Sequence, residues 1–261
     1  MRKSQKKAGE ALQRYFLPEE NWHGSIVYIS GDDFHHIVHV MRMVEGDEVI
    51  CNHPNGKAAI ARINKVGTDD VEADIKEWLE ESKELPIDVC VVQGLPKGDK
   101  WEFILQKGTE LGASSFVPYQ AERSIVKWDA KKVKKKHSRW GKIVKEASEQ
   151  SHRNKIPHVA YVHTFQQILE LSEKFDWKFI AYEEEVRDRQ NIKLHDYFSQ
   201  IQEGQSVMIC IGPEGGFSTE EVDQWKQASF QTIRLGRRIL RTETAPLYAL
   251  SSLSYYFEEM R

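Results

Sequence analysis

The sequence predicts an α/β protein in two parts, a small β-barrel module followed by a domain with a mostly parallel sheet. Residues 14–80 contain short β-forming runs separated by turns. After Pro86, apolar strand-like runs alternate with segments of helical period, which favours parallel strands joined by crossover helices. The polar segment 80–86 ends in proline and is typical of a linker. We therefore expect domains over residues 14–80 and 81–261, after a disordered extension over residues 1–13.

The first domain is expected to contain four strands and one helix. Between the first two strands, four apolar side chains recur at helical spacing, so one face of this helix can pack against the barrel. These side chains are Phe34, Ile37, Val38 and Met41. The strands are expected at residues 25–30, 46–52, 58–66 and 71–78, and the helix at residues 32–46.

The second domain is expected to contain five strands and four helices. Gly112 is suited to end a helix in the left-handed conformation. Ser218 and Glu221 have the spacing of a capping box, and Pro246 suits the first turn of the last helix. The strands are expected at residues 87–94, 114–119, 179–184, 206–211 and 232–236, and the helices at 101–112, 127–145, 220–228 and 246–260.

The composition is that of an ordinary globular protein, with 261 residues, 40% hydrophobic and 30% charged, and a net charge of −3. No apolar run approaches the roughly 20 residues that a membrane-spanning helix needs. The N-terminus is basic but lacks the apolar core of a secretory signal. We therefore expect a cytoplasmic protein.

The three cysteines, Cys51, Cys90 and Cys210, are isolated within apolar runs, which predicts buried, reduced thiols. No C-x-x-C pair exists, and the histidines near residue 36 have no cysteine pair to complete a zinc site. We therefore expect no metal.

A basic segment, residues 127–145, holds nine Lys or Arg and one Asp, so it carries a charge of about +8. Apolar or aromatic side chains recur in it at helical spacing, so one face can pack while the lysines face outward. A solvated charged helix is the alternative. We favour a polyanion partner, with RNA the first candidate.

The loop after the strand at 206–211 is rich in glycine and contains a carboxylate. It has neither the spacing nor the lysine of a phosphate-binding loop. Glu214 would repel a phosphate but suits ribose hydroxyls, an amine or a sulfonium. A glycine-rich connection without a ligand is the alternative interpretation.

A second loop, residues 235–245, has the apolar pair Ile239 and Leu240 among arginines. A buried apolar pair can form the wall of an adenine pocket, while flanking arginines reach phosphates or a base carbonyl. The alternative is an apolar plug with exposed arginines.

Seven ordered motifs give the chain a family resemblance: QRYF, HHIVHVMRMVEGD, GLPKGDKWEFILQKGTELGA, ERS, EASEQSHR, IGPEGGFS and LGRRILRTETAPLYAL. They resemble the RsmE family of SPOUT-type RNA methyltransferases, which modify N3 of a uridine in 16S ribosomal RNA. The match runs from Arg14 to the C-terminus, and the residues before Gln13 depart from the family pattern. The resemblance implies a SPOUT domain with a trefoil knot, preceded by a PUA-like RNA-binding barrel.

The resemblance also implies that S-adenosylmethionine is held between three loops of the knot. Glycines there let the backbone approach a flat nucleoside, and Glu214 suits a cofactor with a cationic reactive centre. The implied cofactor-binding residues are Tyr182, Glu183, Ile211, Gly212, Glu214, Gly215, Gly216, Leu235, Gly236, Ile239, Leu240, Thr244 and Ala245.

The implied reaction is an in-line methyl transfer that needs no metal and no covalent enzyme intermediate. The uridine imide is a weak acid, so a guanidinium near O2 or O4 would stabilise its anion, and Arg241 is the candidate. Glu243 either takes the proton, directly or through water, or caps the last helix.

RNA is expected to contact the basic helix and further cations outside it. Arg123 and Arg153 are equally suited to structural ion pairs. The implied RNA-binding residues are Arg14, Arg42, Lys97, Lys100, Arg123, Lys132, Lys135, Arg139 and Arg153. Similar proteins are homodimers that pair through the last helix, whose composition also suits an intramolecular core.

Two other classes of protein stay open. A non-catalytic ribosome-associated RNA-binding protein would keep the basic helix and show damaged cofactor loops. An ordinary Rossmann enzyme would have a glycine fingerprint after its first strand, which the sequence VVQGLPKG does not fit.

Overall fold

The computed structural model describes residues 12–182 and 193–260. Within them the chain forms two compact units. The first comprises the described residues up to Lys83 together with Glu149–Lys155, and the second comprises Glu84–Ser148 and the residues from Ile156 onwards.

The first unit is built on one six-stranded sheet. Its strands are β1 (Arg14–Phe16), β2 (Trp22–His23), β3 (Ile26–Ser30), β4 (Glu48–Asn52), β5 (Ala58–Val66) and β6 (Asp70–Leu79). Their order is β1-β4-β5-β6-β3-β2, with β1 parallel to β4 and every other pair antiparallel. The Trp22 ring on edge strand β2 lies 4.8 Å from the ring of His53, which follows β4 near the other edge. This contact between distant strands shows that the sheet is curled.

The four predicted strands correspond to β3, β4, β5 and β6. The strands β1 and β2 have three and two residues, too few for a period-2 signal. The predicted helix is shorter than expected: α1 (Gly31–His35) continues only as a π turn, His36–Val40. Arg42 then has a left-handed φ of 54°, which ends the helical path and leaves Met41 exposed instead of packed.

A short segment from the middle of the chain, Glu149–Lys155, completes the first unit. Arg14 Nη1 donates to the Asn52 side chain at 3.0 Å and to the Arg153 carbonyl oxygen at 3.2 Å. The Asn154 side-chain oxygen accepts from the Lys83 backbone N–H at 3.1 Å. No local sequence pattern predicts this return of the chain.

The second unit contains a six-stranded sheet in which every strand pair is parallel. Its strands are β7 (Asp88–Gly94), β8 (Ser115–Tyr119), β9 (His158–Val159), β10 (Trp177–Ala181), β11 (Ser206–Ile211) and β12 (Gln231–Ile233), in the order β12-β10-β11-β7-β8-β9. The helices are α2 (Lys100–Glu110), α3 (Ala130–Gln150), α4 (Phe165–Ser172), α5 (Leu194–Phe198), α6 (Thr219–Gln227) and α7 (Thr244–Ser254), which continues as a π turn, Tyr255–Glu259.

Both faces of this parallel sheet are buried. Along β7, Val89 and Val91 belong to one hydrophobic cluster, and Cys90 and Val92 belong to the other. Such two-sided burial explains why the strand has a continuous apolar run without alternation. On the first face, α2 packs so closely that a Cβ on Gly108 would lie 2.6 Å from the Phe116 ring.

The predicted parallel α/β architecture and its five strands are confirmed. The predicted capping box of Ser218 and Glu221 is present, and Gly112 has a φ of 91° just after α2. The basic helix buries Val133, Trp140 and Val144 as predicted. The prediction missed β9, which has two residues, and the short helices α4 and α5.

Burial raises the pKa of the Cys51 and Cys90 thiols to about 12, and it also raises that of Cys210. The three cysteines are buried and unbridged, as predicted.

In the part of the chain that the structure describes, no helix is long and apolar enough to span a membrane. Over the same residues, no three His, Cys, Asp or Glu side chains are grouped to hold a metal ion.

Candidate active site

The carboxyl ends of four neighbouring parallel strands meet at one edge of the second sheet. Ala181, at the end of β10, lies beside Ile211 of β11 and Ile233 of β12 in the sheet register. Ile211 in turn pairs with Gln93, one residue before β7 ends. The loops that follow these strands therefore start side by side, where α/β proteins commonly bind ligands.

The residues after β12 return across this edge to β7. Gln93 Nε2 donates to Thr242 Oγ1 at 2.8 Å, and Thr242 Oγ1 donates to the Gly212 carbonyl oxygen at 2.7 Å. Gln93 is fully buried, and its Oε1 atom has no hydrogen-bond partner among the described residues. One buried amide thus ties the loops after β11 and β12 to β7.

Glycines permit the close approach of these backbones. A Cβ on Gly94 would lie 2.5 Å from Pro213 Cδ and 2.6 Å from Pro213 N. Gly216 has a φ of 67°, and its N–H donates to the Pro213 carbonyl oxygen at 2.9 Å. The loop is therefore closed on itself and packed against the end of β7, an arrangement that only glycine allows at position 94.

Lys100, the first residue of α2, forms ion pairs with both loops. Its Nζ atom lies 2.9 Å from Glu214 Oε1 and 3.0 Å from Glu243 Oε2. Glu214 Oε1 also accepts from the backbone N–H of Lys97 at 3.1 Å. Because both ion pairs engage its ammonium group, Lys100 is better suited to hold the loops in position than to make the predicted contact with RNA.

The three charges of this cluster stabilise one another. Burial opposes ionisation of Glu214, but the Lys100 ammonium and the backbone N–H groups of Glu214 and Lys97 outweigh it and hold the pKa of this carboxyl below its usual range. Burial likewise opposes ionisation of Glu243, whose own N–H, Lys100 and Arg241 lower its pKa. Hydrogen bonds to Glu214 and Glu243 raise the pKa of Lys100. All three groups are therefore charged at neutral pH.

Lys100→Met is expected to destabilise the protein by about 1 kcal/mol at neutral pH, because partly exposed ion pairs each contribute about 0.2–1 kcal/mol. Both carboxyl pKa values lie below the usual 4.5, so the stabilisation is complete above about pH 4.5 and is lost as the pH falls through the lowered values. Because the pKa of Lys100 is raised, the stabilisation also persists at alkaline pH, up to at least pH 10.5, the usual pKa of lysine. Urea unfolding of both proteins at neutral and acid pH measures the difference.

Lys97→Met is the matched control, since Lys97 contacts Glu214 through its backbone N–H and its side chain is exposed. This variant is expected to unfold like the wild type. Equal destabilisation by the two substitutions would show that the ion pairs of Lys100 are not the cause.

The loop after β12 departs from one prediction. Leu235 is buried and Leu240 is half-buried against the hydrophobic core, but Ile239 is 80% exposed. The predicted burial of Ile239 with Leu240 is therefore wrong. The chain bends at residues 237–238, and residues 237–239 are all exposed.

The other predicted cofactor residues lie at the same edge, with one exception. The Tyr182 N–H donates to the Ile233 carbonyl oxygen at 3.3 Å, so the start of the loop after β10 is bound to β12. Gly236 has a φ of 81°. Thr244 and Ala245 are the first two residues of α7. Glu183 lies outside the described residues.

The two predicted catalytic residues immediately precede α7. Arg241 is exposed, and its carbonyl oxygen accepts from the Thr244 N–H at 2.9 Å. Glu243 occupies the N-cap position of α7, but its side chain makes no capping hydrogen bond. Its carboxylate pairs with Lys100 instead, so the predicted side-chain cap is absent.

A second network supports the glycine loop from the side of β8. Arg123 Nη1 donates to the Gly215 carbonyl oxygen at 3.4 Å, which gives the exposed Arg123 a structural contact. The buried carboxylate of Glu221 accepts from the Tyr119 hydroxyl at 2.6 Å and from the Glu122 N–H at 2.9 Å. The start of α6 is thereby bound to the loop that follows β8.

The predicted RNA-binding residues of the second unit are mostly exposed. Lys97 and Lys135 are exposed. Arg139 is exposed as well, but its Nη2 atom lies 2.6 Å from the Glu102 carboxylate, so part of its charge is compensated. The side chain of Lys132 lies outside the described part of the chain.

The predicted RNA-binding residues of the first unit divide into two kinds. Arg42 is exposed and has a left-handed backbone conformation. Arg14 and Arg153 are only 7% and 3% exposed. Their burial favours structural roles over the predicted phosphate contacts, because a buried guanidinium cannot reach a polyanion without opening the fold.

Two family profiles match the chain. One, described as an RNA methyltransferase PUA domain, matches residues 29–76, and the other, described as an RNA methyltransferase domain, matches residues 83–254. A ribosomal RNA small subunit methyltransferase E from Bacillus subtilis is 48% identical over 96% of this chain and 99% of that protein. The chain belongs to the RsmE family.

Solved structures share the fold of this RsmE-family chain over nearly its whole length. A ribosomal RNA small subunit methyltransferase E from Neisseria gonorrhoeae, bound to S-adenosyl methionine, has a TM-score of 0.80 and 30% identity over 95% of this chain and 98% of its own. A putative methyltransferase from Legionella pneumophila, in complex with the same cofactor, has a TM-score of 0.80 and 32% identity over 94% and 98%. The two units therefore have PUA-like and SPOUT folds.

The sequence does not predict three site residues of this RsmE-family chain: Gln93, Gly94 and Thr242. The only local signal was a glutamine and a glycine at the end of an otherwise apolar strand. Their importance depends on β7 lying beside β11 and on the return of residue 242 to that point, which local patterns do not report.

Proposed function

We propose that this protein transfers a methyl group from S-adenosylmethionine to N3 of a specific uridine in 16S ribosomal RNA. The observation that carries the proposal is the convergence of the loops after β10, β11 and β12 on β7, in a chain of the RsmE family. A ribosomal RNA substrate also implies a cytoplasmic location.

The residues at this edge fit an adenosyl sulfonium. The tight packing of Gly94 on Pro213 holds the glycine loop against the end of β7, beside the ends of β10 and β12. Leu235 and Leu240 supply apolar surface, and the buried Gln93 amide holds the loops that carry the other residues in place. We propose that these residues hold the cofactor together with the other predicted residues of the three loops, Glu183 among them, but without the exposed Ile239.

Glu214 is proposed to act mainly on loop position. The sequence suggested a direct partner for the sulfonium, but the Glu214 carboxylate already pairs with Lys100. Lys100 and Arg241 together balance the two negative charges of Glu214 and Glu243, so the cluster fixes the loops and carries no net charge.

When bound, the cofactor supplies the methyl group as a sulfonium substituent. The protein must align N3 with the methyl group and stabilise the uridine anion, whose N3 proton passes to solvent water. Arg241 is exposed at the same edge and is proposed to hold this anion through O2 or O4. A carboxyl with a lowered pKa is a weak proton acceptor, so we assign Glu243 to positioning Lys100 and Arg241 and not to the role of base.

Labelled S-adenosylmethionine and small ribosomal subunits from a strain lacking the enzyme test the proposal. Nucleoside analysis is expected to find the label in N3-methyluridine. Label in another nucleoside would overturn the uridine assignment. No transfer at all would favour the alternative, a non-catalytic RNA-binding protein.

RNA is proposed to contact the outward face of α3, where Lys131, Lys134, Lys135 and Lys136 are exposed. Lys135→Gln is expected to weaken RNA binding for all sequences and to reduce the slope of log K against log salt by about 1. Fluorescence titrations at several salt concentrations measure this slope. Lys174→Gln, an exposed lysine after α4, is the control and is expected to leave the slope unchanged.

We propose that the residues after β12, which return to β7 at Thr242, follow the knotted path of the SPOUT fold.

We also propose a homodimer that pairs through α7. A groove of about 370 Å³ lies between α5 and α7, and the aromatic residues Phe198, Tyr248 and Tyr256 line it. Tyr255 and Met260 at its rim are 61% and 55% exposed. Light scattering is expected to give the mass of a dimer at micromolar concentration, and a monomer would contradict this.

A further inference from the structure

Ile239 is the most exposed of the large apolar side chains in the described part of the chain, at 80%. Single exposed apolar residues are ordinary on protein surfaces and need no explanation by themselves. The position of this one is unusual, because it stands on the loop that carries Arg241 and Glu243, at the edge where the loops of the site converge.

The exposure argues against a cofactor pocket wall. A side chain that lines a concave pocket keeps protein neighbours on most of its sides. Ile239 protrudes, whereas Leu240 next to it packs against the core. The loop is fixed at both ends, since Leu235 is 9% and Thr242 is 7% exposed, so the protruding side chain is held on an anchored support.

The charges around Ile239 indicate what it meets. Arg237, Arg238 and Arg241 are exposed on the same loop. Ile125, the second most exposed apolar side chain at 70%, repeats this arrangement on the loop after β8, between the exposed Arg123 and Lys127 side chains. Exposed apolar side chains flanked by cations can contact stacked bases and phosphates at the same time. RNA offers both groups, whereas a second protein chain does not.

The proposed reaction requires such a contact. N3 lies on the Watson–Crick edge of uracil, so it can reach a methyl donor in a protein pocket only if the base is unpaired and leaves its stack. Leaving the stack costs free energy, and apolar side chains inserted beside a base repay part of that cost in other nucleic-acid-binding proteins.

We propose that Ile239 is an RNA wedge: its side chain packs against the nucleotide beside the target uridine and fills the gap that the extruded base leaves. Arg237 and Arg238 hold a flanking phosphate, while Arg241 keeps its proposed contact with the target uridine. The wedge rests on the proposed function for its target, but it predicts a change in RNA stacking that can be measured without methyl transfer.

The test uses an RNA fragment with 2-aminopurine beside the uridine that the labelled-cofactor assay identifies. The wild type is expected to increase the fluorescence of this base on binding, as stacking is lost. Ile239→Ala is expected to lose most of the increase and to lower the single-turnover rate constant about 10-fold, which corresponds to about 1.4 kcal/mol. Its RNA affinity should stay within about 3-fold of the wild type, because the arginines that contact phosphate are retained.

Two further variants sharpen the test. Ile239→Leu restores a branched aliphatic side chain and is expected to recover most of the fluorescence increase. Ile156→Ala removes another exposed isoleucine, just before β9 and so at the opposite edge of the sheet, and is expected to behave as the wild type.

Three results would overturn the wedge. The first is an equal fluorescence increase for the wild type and Ile239→Ala. The second is a loss of S-adenosylmethionine affinity in calorimetry that equals the loss of rate, which would make Ile239 a pocket wall. The third is a change of mass in light scattering, which would make it a contact between two copies. If the wild type methylates another atom, the N3 assignment fails while the fluorescence result still decides on the wedge.

Discussion

Gly94→Ala is expected to weaken the binding of S-adenosylmethionine about 10- to 100-fold. The added Cβ would lie 2.5 Å from Pro213 Cδ and 2.6 Å from Pro213 N. Both atoms belong to a ring fused to the backbone, so no rotation of a flexible side chain can relieve the overlap. Relief requires the glycine loop to move away from β7, and overpacking of this kind costs about 1–3 kcal/mol. Isothermal calorimetry with the folded variant measures the loss.

The control for this substitution is Gly141→Ala. Gly141 lies within α3, a Cβ there would meet nothing within 4 Å, and its φ is not left-handed. Alanine in a helix is favoured over glycine by about 0.5–1 kcal/mol, so this variant is expected to be more stable and to bind the cofactor normally. Wild-type affinity in Gly94→Ala would mean that the contact with Pro213 does not shape the cofactor site.

The second large effect is expected for Arg241→Ala, which should lower the single-turnover rate of methylation about 100- to 1,000-fold. Removal of one preorganised donor to a developing anion typically has an effect of this size. The guanidinium is proposed to act on the uridine anion, so cofactor affinity should not change. Rapid quench with labelled cofactor and saturating RNA gives the rate constant.

Arg237→Ala is the matched control, because Arg237 is an exposed arginine of the same loop. Saturating RNA compensates for any phosphate contact that it loses, so its rate constant is expected to stay close to that of the wild type. The proposed role of Arg241 is abandoned if Arg241→Ala keeps the wild-type rate with RNA binding intact.

Long elements of the fold were predictable because their signals are local. The strand over residues 206–211 is a continuous apolar run between breakers, and the structure has β11 at the same six residues. The capping box before α6 and the packed face of α3 were equally visible. The strands β1, β2 and β9 were not predictable, because two or three residues are too few to show an alternating pattern. These strands are stabilised by the strands with which they pair.

The candidate site was predictable only in part. The glycines and arginines of the two loops were found because their composition is unusual for the ends of strands. Lys100 was assigned to RNA, since an exposed lysine and a paired one look alike in a sequence. Its two carboxylate partners lie 114 and 143 residues further along the chain, at Glu214 and Glu243.

The sequence by itself determined the α/β class, the main strands and helices, and the motifs that mark the family. Tertiary structure decided which of these groups meet. Gln93 became central because parallel pairing sets it beside Ile211 and the chain returns Thr242 to the same point. Ile239 became exposed although its residue type predicts burial. Periodicity and turn chemistry act over a few residues, whereas ion pairs, buried amides and exposure depend on neighbours far away in the chain.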